Sequence, residues 1–195
     1  TGKSVIAINL MSDLLLQNVN AHYATGSKAF TETLRRVIGS RGSVQFKYFN
    51  SYTQAGPDEV DVLICDEAHR IRKSSNNQYT KKDKRSTQTQ IEELLHVAKV
   101  AVFFVDDNQV VRPNEIGSAD YLRHHAAQHG CDISEYQLEA QFRCAGSEGF
   151  VNWINNTLGI QKTANILWNQ SEEDFDFRIM ESAEALEVAI RAKSA

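Results

Sequence analysis

The stretch Val60-Asp61-Val62-Leu63-Ile64-Cys65-Asp66-Glu67-Ala68-His69 is an apolar run that ends in two adjacent carboxylates. A run of this length, rich in Val, Leu and Ile, predicts a strand that is buried on both faces of a parallel sheet. Asp66 and Glu67 then lie at the carboxyl end of the strand, where open α/β sheets bind ligands. Adjacent carboxylates repel each other, and a bound cation usually offsets this repulsion. The stretch therefore predicts a site for metal and phosphate chemistry.

The composition is that of a globular protein without a strong overall charge. The chain has 195 residues, 42% of them hydrophobic, which is enough for one core or for one core and part of another. With a formal net charge of −4, any nucleic acid must be bound by a local basic patch. The cysteines Cys65, Cys131 and Cys144 show no paired spacing, and no apolar run approaches about 18 residues. We therefore expect free thiols, a cytoplasmic location and no membrane span.

Strand and helix patterns alternate along the chain, which predicts an α/β domain with a mainly parallel sheet. The predicted strands are 20–24, 44–49, 60–66, 99–105, 135–143 and 175–180. The predicted helices are 1–17, 28–38, 89–97, 118–129, 146–158 and 183–193, and the density of apolar residues predicts that the first is largely buried. Residues 70–85 are basic, polar and aperiodic, as is typical of a loop.

The first four residues, Thr1-Gly-Lys-Ser4, match the end of a phosphate-binding loop, G-x-x-x-x-G-K-[ST]. In such a P-loop the N–H groups of a helix N-terminus hold phosphate oxygens, the lysine places its charge on the β- and γ-phosphates, and the serine binds Mg²⁺. Candidate nucleotide-binding residues are thus Thr1, Gly2, Lys3 and Ser4. An ordinary helix start with a lysine is the alternative.

The carboxylates at the end of the apolar run complement this loop. Asp66 follows Ser4 by about sixty residues and is placed to hold Mg²⁺ together with it. Glu67 is then the candidate general base that polarises the attacking water. The alternative for both carboxylates is the solvated start of a loop.

Further motifs carry a resemblance to helicases. Residues 66–69 spell DEAH, a helicase motif II that by spelling alone suggests superfamily 2. Residues 105–109, Val-Asp-Asp-Asn-Gln, resemble the superfamily 1 motif III (G-D-x-x-Q), with Val105 in place of Gly. Residues 138–143, Leu-Glu-Ala-Gln-Phe-Arg, resemble motif IV (L-x-x-N-[YF]-R), with Gln141 in place of Asn. The order and spacing match superfamily 1 over most of residues 1–158. The chain is similar to the bacterial family of Schlafen group 3-like DNA/RNA helicase domains, through DEAHR, FVDDNQ and QFRC.

This resemblance implies a RecA-like P-loop NTPase that hydrolyses ATP with Mg²⁺ and acts on DNA or RNA, in single-stranded form. It implies that Gln109 senses the γ-phosphate and that Arg143 reaches the γ-phosphate as an arginine finger. Motif Ia, which contacts the backbone of a single strand, would correspond to Thr25, Gly26 and Ser27. The basic loop adds candidate nucleic-acid contacts at Arg72, Lys73, Lys81 and Lys82, although most basic loops are simply solvated.

The chain begins without the strand and glycines that precede Gly2 in a complete P-loop. We therefore expect a fragment, with an incomplete first RecA-like domain over 1–134 and the start of a second over 135–195. The preceding strand is expected beside the strand of residues 60–66, and its absence would expose sheet edges through which the fragment can self-associate. Such a fragment is expected to bind nucleotide weakly and to hydrolyse little.

Three functional interpretations remain open. The first is a helicase or translocase, and the second is an ATP-driven switch or defence ATPase that does not unwind duplexes. The third is a nucleic-acid-binding module whose ATP site has decayed. Lys3, Ser4, Asp66, Glu67 and Arg143 argue against decay, whereas the altered motif III favours it.

Overall fold

The fold is built on a four-stranded parallel sheet, described here by a computed structural model that covers residues 2–40, 42–110, 112–138, 148–164 and 177–193. The strands are β1 (Ala21–Thr25), β2 (Phe46–Tyr48), β3 (Val60–Asp66) and β4 (Ala98–Phe103), in the spatial order β2-β1-β3-β4. Thr25 is in register with both Tyr48 and Asp66, so three strands end at the same edge. The α/β class and the parallel sheet predicted from the sequence are confirmed, and the architecture is consistent with a RecA-like fold.

Helices connect and cover the strands. They are α1 (Lys3–Leu16), α2 (Lys28–Ile38), α3 (Gln90–Val97), α4 (Ala119–Gln128), α5 (Glu148–Thr157) and α6 (Ala183–Lys193). The chain divides into two compact units, one of residues 3–137 that contains the sheet and α1–α4, and one of residues 138–195 with residues 1–2. In the second unit, the ring of Trp153 on α5 meets the ring of Phe177 edge-on, with centroids 4.9 Å apart. None of the helices within the described ranges has the length and apolarity needed to span a membrane.

The side chains of β3 alternate between two hydrophobic clusters. Leu63 and Cys65 face a cluster that also contains α3 residues, including Ile91 and Leu94. Val62 and Ile64 face the opposite cluster, which α1 and α2 cover. Because both faces of β3 are covered, the strand reads as a continuous apolar run rather than as an alternating one. The prediction from residues 60–66 is confirmed.

The sheet corrects the expected position of a preceding strand. β3 is hydrogen-bonded to β1 on one side and to β4 on the other, so a further strand has no place beside it. β4 lies at one end of the described sheet, and its residues Lys99 and Val100 are exposed. The apolar residues of 99–105 predict a buried strand, and this prediction is wrong for Lys99 and Val100.

Some predicted elements differ in the structure. The predicted strand 44–49 shrinks to three residues because a 3₁₀ turn flanks it on each side. α1 is less buried than predicted, since only Ala7 and Met11 are fully covered along its length. Residues 135–138 form no strand, and Glu135 instead binds Arg123 of α4 through both carboxylate oxygens, at 2.7 and 3.0 Å. Residues 177–180 also form no strand. The remaining parts of these two predicted strands lie outside the described ranges.

Candidate functional site

Asp66 occupies the carboxyl end of β3 and is 1% exposed. Its Oδ2 accepts a hydrogen bond of 2.5 Å from the hydroxyl of Tyr23 on β1, and its Oδ1 accepts one of 3.0 Å from the backbone N–H of Glu67. Both donors are neutral, and no ion pair involves Asp66 in the part of the chain that the structure describes. Its negative charge is therefore buried without a cationic partner there.

Tyr23 links Asp66 to the start of α1. Burial is the largest cause that raises the pKa of Tyr23, followed by its hydrogen bond to Asp66 and by the charges of Asp66 and Glu67. A hydrogen bond with the Ser4 side chain acts in the opposite direction. Tyr23 therefore keeps its proton and donates a hydrogen bond to Asp66. Ser4 and Asp66, the two predicted Mg²⁺ ligands, therefore both lie near the Tyr23 hydroxyl.

Glu67 adopts a left-handed backbone conformation, with φ +56° and ψ +43°. Such a conformation is uncommon for a residue with a side chain, and it is found most often where function requires it. The Glu67 Oε2 lies 3.4 Å from Nε2 of the buried His69 and 3.3 Å from Nε of Arg70. The sharp turn after β3 thus directs the Glu67 carboxylate toward two side chains of its own 3₁₀ turn, Ala68–Arg70.

Backbone contacts fix this turn against the neighbouring chain segments. The N–H of Ala68 donates to the carbonyl of Phe104 at 2.8 Å, and the N–H of Ile116 donates to the carbonyl of Ile71, also at 2.8 Å. Gly117 lies so close that a Cβ on it would stand 1.9 Å from the carbonyl oxygen of Ala68. The sequence after motif III therefore supports the turn that carries Glu67.

Lys3, Asp106 and Gln109 form a second polar cluster. The Lys3 ammonium donates to Asp106 Oδ2 at 2.8 Å, and the Gln109 side-chain amide donates to the same oxygen at 3.0 Å. Asp106 Oδ1 accepts from the backbone N–H of Asn108 at 3.2 Å. The structure thus brings the candidate phosphate-binding lysine and the candidate phosphate sensor to one carboxylate, although they are more than a hundred residues apart in sequence.

Opposing effects act on the Asp106 carboxyl. Burial, the largest single cause, acts to raise its pKa, but the hydrogen bond and charge of Lys3, the N–H of Asn108 and the charge of His69 together bring the pKa below its usual value. A lowered folded-state pKa stabilises the fold above the pKa of the unfolded chain. That contribution is lost as the pH falls through the lowered value.

Replacing Lys3 by Met is expected to raise the pKa of Asp106, because burial then acts without the opposing ammonium. The Asp106 side-chain carbon, followed by NMR during an acid titration, reports this directly. Lys28→Met is the matched control, since Lys28 contacts Glu32 on the exposed face of α2. An unchanged Asp106 titration in Lys3→Met would contradict the ion pair.

An open groove of about 700 Å³ lies in the same unit. Its cationic lining residues are Lys28, Arg70, Arg72 and Lys73, and no carboxylate from the described ranges lines it. The remaining lining is mainly hydroxyl and amide side chains, with Tyr48 and Phe49 as aromatic surfaces. Phe49 is itself buried, whereas Tyr48 is partly exposed. A basic groove with one accessible aromatic ring is suited to a phosphate backbone whose bases are unpaired.

Buried hydrogen bonds attach the basic part of the groove to α3. Glu93 is 2% exposed and accepts a 2.5 Å hydrogen bond from Ser75 Oγ. Gln90 donates to the same Ser75 oxygen at 3.0 Å, and its own side-chain oxygen accepts from the backbone N–H of Arg72 at 2.9 Å. These bonds define the path of residues 72–75, so the position of Arg72 and Lys73 is set by the buried end of α3.

Some of the residues predicted to contact nucleic acid line the groove, and others do not. Thr25, Gly26, Arg72 and Lys73 line the groove, whereas Ser27, Lys81 and Lys82 are absent from its lining. Thr1 and Arg143 lie outside the described ranges. The residues that were not predicted from the sequence are Tyr23, Lys28, Tyr48, Phe49 and Arg70. Tyr48 and Phe49 could have been predicted from their position at the end of β2, because ligands bind where parallel strands end.

Comparison with known proteins identifies the family. The family model described as Schlafen group 3, DNA/RNA helicase domain, matches residues 1–195. Comparison with curated proteins and with solved structures gave no significant match. Since the family model spans the whole sequence, the chain belongs to the Schlafen group 3 DNA/RNA helicase domain family.

Proposed function

We propose that this domain hydrolyses ATP with Mg²⁺ in a nucleic-acid-dependent reaction, as part of a superfamily 1-type helicase or translocase. The observation that carries the proposal is the convergence of polar residues at the carboxyl edge of the sheet. Lys3 and Gln109 both donate to Asp106, Asp66 accepts from the Tyr23 hydroxyl, and Ser4 lies near that hydroxyl. These residues come from the start of α1 and the ends of β1, β3 and β4. Separate segments have no structural need to bring so many polar groups to one edge.

The environment of Asp66 fits a divalent cation. An ionised carboxylate has about four acceptor positions, and the Tyr23 hydroxyl and the Glu67 N–H use one on each oxygen. The remaining positions and the uncompensated charge suit Mg²⁺, which prefers oxygen ligands and keeps several waters. Ser4 and Asp66 would hold this ion, whose role is to neutralise charge on the phosphates.

Lys3 and the first turn of α1 fit the phosphates of a nucleotide. α1 begins at Lys3, and the first N–H groups of a helix have no partner within the helix and favour anions. Lys3 would exchange Asp106 for phosphate oxygens, because one ammonium cannot serve both at full strength. Asp106 would then keep Gln109 as its side-chain partner. This exchange gives Gln109 a means of responding to nucleotide, as the motif III resemblance implies.

Glu67 is the proposed general base for the attacking water, and the groove is the proposed path of a single strand. The division into a first RecA-like domain over 1–134 and the start of a second over 135–195 belongs to the same proposal. So do the phosphate-loop role of Thr1, the arginine-finger role of Arg143 and the nucleic-acid contacts of Ser27, Lys81 and Lys82.

The test is an ATPase assay on the protein at its full natural length, with and without single-stranded DNA or RNA. We expect Mg²⁺-dependent hydrolysis that increases when the strand is added. A strand-displacement assay then separates a helicase from a switch that does not unwind duplexes. Nucleic-acid binding without any nucleotide binding would instead favour a module whose ATP site has decayed.

Replacing Arg72 and Lys73 together by Ala is expected to weaken single-strand binding uniformly across sequences. On a single strand, each phosphate contact contributes about 0.7 to the steepness of log K against log salt, so the double variant should have a slope shallower by about 1.4. Fluorescence anisotropy at several salt concentrations measures that slope. Lys84→Ala with Arg85→Ala is the matched control, because it also removes one lysine and one arginine, and both lie outside the groove lining. An equal effect in the control would contradict the assignment of the groove.

A further inference from the structure

Arg70 belongs both to the groove and to the turn that carries Glu67. It is among the groove's cationic lining residues, and its Nε lies 3.3 Å from Glu67 Oε2. His69 Nε2 approaches the same oxygen at 3.4 Å. The Glu67 carboxylate oxygen that faces this turn is therefore occupied by two side chains of the chain itself.

The contact between Arg70 and Glu67 is an ion pair with poor hydrogen-bond geometry. The Arg70 Nε is buried but makes no well-formed hydrogen bond to any partner in the described ranges, and the side chain as a whole is 34% exposed. Arginine binds most strongly when its planar fork donates two parallel hydrogen bonds to a carboxylate or phosphate. Two well-aligned hydrogen bonds to a phosphate are therefore stronger than the poorly aligned contact that Arg70 makes with Glu67.

The stem of Arg70 is positioned by the end of β1. A Cβ on Gly26 would stand 2.7 Å from the Cβ of Arg70 and 3.4 Å from its Cδ. Gly26 therefore leaves the room that the Arg70 stem occupies, and both residues line the groove. A strand that lies along Gly26 would place its phosphates within reach of the exposed part of the guanidinium.

We propose that Arg70 is a positioning residue that couples nucleic acid in the groove to the catalytic carboxylate of Glu67. Without nucleic acid, Arg70 holds the Glu67 Oε2. A phosphate of the bound strand takes over the guanidinium, and the Glu67 Oε2 keeps only His69 as a neighbour, which leaves room for a hydrogen bond from water. This coupling rests on the proposed function, because it assigns the stimulation of ATP hydrolysis to one contact of the same site.

Thermodynamic linkage makes the coupling measurable without catalysis. If Arg70 must release Glu67 to bind phosphate, removing the Glu67 charge must strengthen strand binding in the absence of nucleotide. Glu67→Gln is therefore expected to tighten single-strand binding by about two- to fivefold, the range for a partly exposed ion pair. Arg70→Ala is expected to weaken it, and Glu67→Gln should produce no tightening when Arg70→Ala is already present.

Fluorescence anisotropy of the wild type, the two single variants and the double variant tests the proposal. Arg70→Lys is a further variant that keeps the charge but lacks the planar guanidinium. Asp107→Asn is the control for loss of a nearby carboxylate, since Asp107 caps α4 at the N–H of Ala119 and has no contact with Arg70. ATP hydrolysis gives a second measurement. Arg70→Ala should raise the basal rate and reduce its stimulation by nucleic acid, whereas a purely structural role would lower both.

Two outcomes overturn the coupling and leave the proposed function standing. One is a strand affinity that does not change in Glu67→Gln, and the other is an equal tightening in the presence and absence of the Arg70 side chain. A wild-type protein that binds no single strand, or that hydrolyses no ATP, would instead overturn the proposed function together with the coupling.

Discussion

Replacing Glu67 by Gln is expected to lower the rate of ATP hydrolysis by about 10²–10⁴-fold, the usual contribution of a positioned general base. The amide has nearly the same shape as the carboxylate but cannot take a proton from water. Nucleotide affinity should be retained, because the phosphates are assigned to Lys3 and the first turn of α1, and Mg²⁺ to Ser4 and Asp66. Single-turnover hydrolysis and equilibrium binding of a fluorescent nucleotide separate the two effects.

Asp13→Asn is the matched control for this change, because Asp13 is an exposed carboxylate of α1 in the same compact unit. It should leave both hydrolysis and binding at the wild-type level. If Glu67→Gln keeps more than about a tenth of the wild-type turnover, Glu67 is not the general base. A loss of nucleotide binding equal to the loss of turnover would assign Glu67 to binding instead.

The apolar stretch 60–66 predicts β3 because its physical cause is local in the sequence. A strand covered on both faces needs apolar side chains at successive positions, and Leu63, Ile64 and Cys65 supply them. α2 is equally local, since its apolar positions recur at helical spacing and its predicted bounds match the structure. The strand predicted at 135–143 fails in its described part because a strand needs a neighbour, and the sequence does not state which neighbour is present.

The candidate site could be predicted in its residues but not in its contacts. Spacing and motif chemistry point to Lys3, Asp66, Glu67 and Gln109, which are recognisable one by one. The Asp106 carboxylate that joins Lys3 to Gln109 depends on where β4 ends relative to α1, which only the folded sheet determines. The role of Tyr23 could not be predicted for the same reason, because nothing in the sequence distinguishes a functional tyrosine inside a strand from a structural one. Its role follows from the register of β1 on β3.

The turn after β3 connects the two halves of the proposed mechanism. Asp66 and Glu67 are the proposed Mg²⁺ ligand and general base, whereas Arg70 lines the groove only three residues after Glu67. The left-handed conformation of Glu67 makes this possible, because it reverses the chain at once after the strand. In the proposed coupling, this short turn alone links occupancy of the groove to the carboxylate, without a change in the sheet.

Replacing Gly117 by Ala is expected to lower the free energy of unfolding by about 3 kcal/mol, at the upper end of the usual cost of overpacking. The added Cβ would lie 1.9 Å from the carbonyl oxygen of Ala68, and a backbone atom cannot rotate away as a flexible side chain can. The turn that follows Glu67 must shift, or the segment of Gly117 must withdraw from it. Either movement disturbs Glu67, so ATP hydrolysis should fall as well. Urea denaturation followed by circular dichroism measures the stability.

Gly130→Ala is the matched control, because Gly130 has a φ of +69° but no atom within 4 Å of an added Cβ. Alanine there carries only the strain of a left-handed residue, about 1–2 kcal/mol, and should leave hydrolysis unchanged. Both variants replace a glycine, but only Gly117→Ala adds a contact with the backbone of the Glu67 turn, so slower hydrolysis in that variant alone is assigned to this contact. Equal stability losses, with full activity in Gly117→Ala, would mean that this segment does not support the Glu67 turn. A larger loss in Gly117→Ala, accompanied by slower hydrolysis, would establish that the segment after motif III holds the proposed general base in place.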